Sequence, residues 1–395
     1  MLLGRMAWRA VAAGAAVTSL ALASTAGPAT AAVGTGTRLS KHDPVIPVSA
    51  TARGRTRQPV TAYIVNYLSS TVTPIRTATN TAGTAIPVGE NPVAIAITPN
   101  GKTAYVVNAH SGTVTPIDTR TNTAGTPIAV GRDPEAIAIT PDGRTAYVVN
   151  TGADTVTPIR TATNTPGAPV PVGSIPQGIA ISPNGKTAYV TNQLSDTVTP
   201  IRTATDTAGS PIPVGGLPSA IAITPNGKTV YVINHLSGTV TPIRTATNTP
   251  GRPIPTGKDP WAIAITPDGK TAYVANFESG TVTPIRTATN TAARPIPTGK
   301  NPWTIAITPD GKTAYVADRG SGAVIPVRTA SNTLGRPIPT GKDPWAIAIT
   351  PNGKTAYVAN FDFYSGTVTP IRTAVNKAGT AIPVENGPQA IAITP

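Results

Sequence analysis

No cysteine occurs among the 395 residues, which excludes disulfides, thiolate metal sites and a cysteine nucleophile and leaves packing and closure to hold the fold. Histidine is nearly as scarce, with three in the chain, His42, His110 and His235. The last two fall in loops three repeat units apart, so each reads as a surface histidine satisfied by its neighbours. There is no G-x-S-x-G elbow and no acid next to a plausible base. The recurring "PDGK" lacks the further carboxylates that calcium requires. These absences predict a protein without enzymatic activity, with no catalytic residues, no metal and no cofactor. Nor does a 3.6-residue apolar period appear after the first thirty residues, which excludes a helical bundle.

What is present is repetition. Tyrosine stands at 63, 105, 147, 189, 231, 273, 315 and 357, a step of 42 residues without a slip. Most of the 37 Gly and 43 Pro recur at fixed places in this unit and punctuate its turns. From Trp261 one unit reads "WAIAITPDGKTAYVANFESGTVTPIRTATNTAARPIPTGKNP", with four β-prone runs: a ("AIAIT"), b ("TAYVA"), c ("TVTPI") and d ("RPIPT"). The Asp-Gly or Asn-Gly pair between a and b is a strong hairpin signal, so each unit is a four-stranded antiparallel meander. One meander cannot bury both faces, whereas eight stacked around an axis can. The expected fold is all-β: a β-propeller of eight four-stranded blades, each of 42 residues. In "IAI" the isoleucines share one face and the alanine takes the other, so a bulky face can nest on a neighbour's slim one.

Closure follows from counting strands. The first unit begins at strand b, "TAYIVN", and the chain ends on an orphan strand a, "AIAITP". Pairing the two completes the first blade and removes the open sheet edge. Seven blades with one unit left over is the alternative. Every strand c carries a proline, from Pro74 to Pro370, and strand d is "PIP"-like. Proline belongs on sheet edges, so c is expected to pair with b only in part and d to form a short outer rim.

Residues 1–31 read as a secretory signal: Arg5 and Arg9, then "AVAAGAAVTSLALAS", then small residues at 29–31. Residues 32–58 read as a basic flexible linker, and 59–395 as the propeller. The expected location is extracellular or at the cell surface, as a monomer with no membrane span after cleavage. A net charge of +14 favours anionic partners, such as wall polymers or acidic glycans, over nucleic acid.

At 189–192 the chain reads "YVTN", with "YVVN", "YVIN", "YVAN" and "YIVN" at matching places and "YVAD" at 315. With "IAITPDGKTAYV", this resembles the YVTN family of β-propeller repeats found in microbial surface-layer and secreted proteins. The resemblance covers residues 60–395. It implies a scaffold or binding protein, with lactonases and haem or quinoprotein subunits as relatives in fold. Where the family pattern has an acid after strand c, only Asp118 keeps it and the other units carry arginine.

Eight aromatic side chains break the repetition: Trp261, Trp303, Trp345, Phe277, Phe361, Phe363, Tyr364 and Tyr67. The tryptophans precede strand a, and the others lie in b–c loops, including "NFDFYSG", which alone has two extra residues. In a meander the b–c and d–a loops open on one face, so these residues, with Lys258, Lys300 and Lys342, form a candidate ligand platform. The packing alternative is that each Trp fills the wedge between blades. The functional expectation is a secreted binding or scaffold module for a glycan, an anionic wall polymer or a protein partner. A lactonase or hydrolase, or a surface-layer component, is the alternative.

Overall fold

A computed structural model describes residues 59–395; the expected signal segment and linker lie outside them. The described chain is an eight-bladed β-propeller, and no helix occurs in it. Blade 6 shows the pattern: strand a Pro260–Ile265, b Thr271–Asn276 and c Thr281–Arg286, in antiparallel order from the axis outward. The fourth, outermost strand is split into Thr291–Ala292 and Ile296–Pro297, which pair with the two ends of c.

Proline explains the split. Strand c pairs with b through all six residues, contrary to the expected partial pairing; in blade 1, Tyr63 stands opposite Pro74. The Pro74 carbonyl accepts a bond from Gly83 on the outer side, at 2.7 Å. In an antiparallel strand the N–H and C=O of one residue point the same way, so the donor that Pro74 lacks also faces outward. The b–c ladder is therefore intact and the outer ladder is interrupted.

The ring closes as the strand count requires. Strand a of blade 1 is Pro388–Ile393, antiparallel to Thr61–Asn66, with Ile64 opposite Ile391. Reciprocal bonds between Thr61 and Thr394 extend the pairing at 2.9 and 3.0 Å. Successive blades bury slim faces against bulky ones: Ala262 and Ala264 of blade 6 pack with Ile305 and Ile307 of blade 7.

The repeated tyrosine does more than fill this interface. Each lies fully buried in strand b and reaches the c–d turn of the next blade. The Tyr63 hydroxyl donates to Asn122 Oδ1 at 2.6 Å, Tyr105 to Asn164 and, across the closure, Tyr357 to Asn80. The acceptors hold left-handed turn positions (φ 55° at Asn80, 56° at Asn122), a conformation that Asn and Asp tolerate better than other side chains. Asp206 replaces Asn once and accepts from Tyr147.

Two outcomes test this frame. Deleting residues 388–395 should cost on the order of 5 kcal/mol, because it strips a paired strand and exposes the Thr61–Asn66 edge; a truncated protein that melts like the parent would exclude closure. Burial pushes the hydroxyls of Tyr63, Tyr105, Tyr231, Tyr273, Tyr315 and Tyr357 up to about 12 from the ordinary 10. Burial, and then the Asp206 carboxylate, raise Tyr147 further. A folded pKa raised above the unfolded one stabilises fully below pH 10 and is lost as pH rises towards 12. Melting temperature should therefore hold up to about pH 10 and fall steeply above it, with the absorbance of the eight framework tyrosinates appearing only on unfolding.

Candidate functional site

Each strand a begins with a bulge. In blade 6, Pro260 pairs with Asn276 and Ala262 with Ala275, leaving Trp261 outside the ladder. Such a bulge re-aims a side chain. The eight equivalent positions, Val93, Glu135, Gln177, Ser219, Trp261, Trp303, Trp345 and Gln389, circle the axis where the inner strands begin. The circle is divided: blades 6 to 8 contribute tryptophan, and four of the other five blades a polar side chain.

The aromatic half forms an unbroken succession of ring contacts. His235 lies 4.6 Å from Trp261, Trp261 4.7 Å from Trp303, and Trp303 5.0 Å from Trp345. Phe277 meets Trp303 edge-on at 5.6 Å, Trp345 lies 5.1 Å from Phe361, and Phe361 meets Phe363 at 5.3 Å. The succession runs through blades 5 to 8. Tyr67, expected to extend it into blade 1, instead packs on the apolar cluster of blades 2 and 3 with Val93.

Exposure divides these residues. Trp303 and Trp345 are 4% and 5% exposed and serve as packing, as the wedge alternative anticipates. Trp261, Phe277 and Phe361 are half-buried. Phe363 and Tyr364, in the lengthened loop, are 63% and 90% exposed. A ligand can reach the succession at its two ends.

Sequence reading missed Arg319. Its guanidinium lies between two tryptophan rings, 4.4 Å from Trp303 and 4.2 Å from Trp345, and forms a two-bond pair with Asp343, Nη2 to Oδ2 at 2.8 Å and Nε to Oδ1. Cation–π attraction on both faces and a fork-to-fork pair at the edge fix it in place. Beneath it lies Asp318, fully buried. Its carboxylate accepts from the backbone N–H of Lys300, Asn301 and Gly320 and from the Ser321 hydroxyl, at 2.6–3.2 Å. Elsewhere this position is Asn, which donates to two threonines of strand c; Asn276 donates to Thr281 and Thr283 at 3.0 and 2.9 Å. In blade 7 those threonines are Ala323 and Ile325. A carboxylate has no proton to donate, and its threonine partners are gone. The joint replacement of Asn, Phe and two Thr within "YVADRGSGAVI" was the available signal.

The structure also joins an acid to a base that the sequence left apart. His235 Nδ1 lies 2.8 Å from Asp259 Oδ1, with the His235 side chain 10% exposed. Asp259 is carried on the d–a loop of the next blade, in a left-handed conformation (φ 57°). His110, in contrast, is exposed and sits 3.5 Å from Glu90. Among the described residues no group of three or more His, Asp or Glu is placed to hold a metal. Lys258, Lys300 and Lys342 are exposed on the same face, where they share the surface with eleven of the sixteen described carboxylates.

Fold and site together define an eight-bladed propeller with an aromatic, histidine-bearing mouth. The chain belongs to the family described as "Lactonase, 7-bladed beta-propeller", which matches residues 77–211 and 130–294. The family description counts seven blades, and this ring has eight. Membership corrects the expectation of a protein without enzymatic activity, since the family is one of enzyme-type propellers. No curated protein matches the chain. Among solved structures it is similar to Kuenenia stuttgartiensis hydrazine synthase, with 29% identity over 72% of this chain and 96% of that one, TM-score 0.60. It is also similar to dihydro-heme d1 dehydrogenase NirN in complex with DHE, with 14% identity over 84% and 74%, TM-score 0.73. A functionally unknown protein from Desulfotomaculum acetoxidans DSM 771 shares 18% identity over 84% and 98%, TM-score 0.59. For the last two the likeness is one of fold.

Asp318→Asn tests the buried carboxylate. The amide would place two N–H donors where Ala323 and Ile325 offer no acceptor, so a loss of about 1–3 kcal/mol in stability is expected. Restoring Thr at 323 and 325 in the same variant should recover part of it, as measured by denaturant midpoint.

Proposed function

We propose that the propeller works outside the cell or at its surface and takes a neutral glycan on the aromatic mouth of blades 5 to 8. The observation that carries this reading is the unbroken ring succession from His235 to Phe363, ending in an exposed loop two residues longer than its counterparts. Flat apolar faces match the C–H faces of sugar rings, and the polar half of the circle supplies partners for hydroxyls. The excess of carboxylates on this face favours a neutral ligand over an acidic one. Export is supported by the first 31 residues, and a surface-layer role by the "YVTN" repeat.

A second reading, ring-opening of a lactone, rests on the family match and on the His235–Asp259 pair. A carboxylate at Nδ1 holds the imidazole in the tautomer that takes a proton at Nε2, the role a base plays in directing water onto an ester carbonyl. A cyclic sugar ester would satisfy both the stacking surface and the base.

Replacing Phe363 and Tyr364 together by Ala should weaken glycan binding roughly tenfold, since each stacking contact contributes about 0.5–1.5 kcal/mol. Melting temperature should stay constant, because both side chains are exposed. Parent-like affinity for every glycan that the unaltered protein binds would overturn the stacking site. For the second reading, His235→Gln should abolish lactone turnover; turnover that persists would remove the base assignment.

A further inference from the structure

The face opposite the aromatic mouth carries the a–b and c–d turns, and its charge is of the other sign. Sixteen of the twenty-four described lysines and arginines lie there, all exposed, against five of the sixteen carboxylates. The repeat places them: a lysine or arginine follows every a–b turn, and an arginine ends strand c in seven of eight blades. The five acids are engaged locally. Asp142, Asp268 and Asp310 accept from the threonine two residues earlier and from the backbone N–H two residues later. Asp118 accepts from the backbone of Arg120, and Asp206 from the Tyr147 hydroxyl. Among the described residues only Arg144, Lys270 and Lys312 make ion pairs on this face, at 3.7–3.8 Å.

Two hydroxyl-lined grooves run between neighbouring c–d turns. One of about 570 Å³ lies between blades 5 and 6, bordered by Lys228, Arg244, Thr245, Thr249 and Asn290. Its counterpart of about 540 Å³ between blades 1 and 2 is bordered by Arg76, Thr81, Arg120 and Asn122. We propose that this face is a binding surface for a linear polyanion of the acidic polysaccharide class, lying along the cation-bearing turns of successive blades. Each blade offers a cation to the polymer's acid groups and threonine hydroxyls to its sugar oxygens. Such multi-site charge contact accumulates along the chain and weakens as salt rises. The exposed and half-buried aromatics among the described residues all lie on the opposite face, so nucleobases would find no stacking surface here. That favours polysaccharide over single-stranded nucleic acid.

The test uses the full chain, with heparin as the acidic probe and single-stranded and duplex DNA in parallel. A variant carrying Lys228→Gln, Arg244→Gln, Lys270→Gln and Arg286→Gln, all exposed, should bind heparin roughly tenfold more weakly and show a shallower dependence on salt, with unchanged melting temperature. Lys258→Gln, Lys300→Gln and Lys342→Gln on the aromatic face should leave heparin binding as in the parent. Parent-like heparin affinity in the first variant, or a loss in the second, would overturn the proposal. Tighter binding of either DNA than of heparin at equal salt would overturn it in favour of nucleic acid.

Discussion

Each blade is held to the next by a tyrosine that is buried in one sheet and hydrogen-bonded to the turn of its neighbour. The phenol contributes its apolar area to the interface, and its hydroxyl meets an Asn or Asp side chain held by a left-handed backbone. A buried hydroxyl without a partner is costly, so the geometry admits one blade-to-blade offset. Eight such ties, the last running from Tyr357 back to Asn80, make ring closure as strongly specified as any internal junction. The invariance of the unit is a consequence, because the tyrosine and its acceptor must stay in register across every interface.

With the frame so determined, chemistry is confined to positions the ties do not use. These are the bulge residue of strand a, the first residues of the b–c loop and the turn charges. The bulge places a side chain by the axis without disturbing the ladder, which is why Val93, Gln177 and Trp303 can occupy equivalent sites. Blade 7 departs furthest. Its buried Asp318 holds the loop that carries Lys300 and Asn301, and Arg319 above it binds Trp303 to Trp345 and to Asp343. Two tryptophans are thereby used to build the mouth, leaving Trp261 and the Phe361 to Tyr364 loop to face solvent.

The disk is electrically polarised along its axis. Carboxylates gather on the aromatic face, in loops where the repeat allows substitution. Cations gather on the turn face, where the repeat itself writes a lysine after the hairpin and an arginine after strand c. A net charge of +14 over the whole chain conceals this separation. The two proposed ligands, a neutral glycan and a polyanion, would therefore occupy opposite faces without competing.

Much of the fold was legible from period alone. A 42-residue step, a hairpin signal at a fixed place, a first unit that lacks strand a and an orphan strand a at the other end lead to the strand order and to an eight-bladed closure, with seven blades as the alternative, because these depend on local turn chemistry and on strand counting. The effect of proline was half legible: its position was evident, but the side to which its missing donor points depends on register. The site was legible only as a set of departures. Sequence placed the aromatic residues on one face, yet burial of Trp303 and Trp345, the Arg319 sandwich and the 2.8 Å approach of His235 to Asp259 arise from contacts between blades. Residues 24 positions apart meet there because the b–c loop of one blade lies beside the d–a loop of the next, a proximity that comes from radial stacking and that no pattern within a single unit encodes.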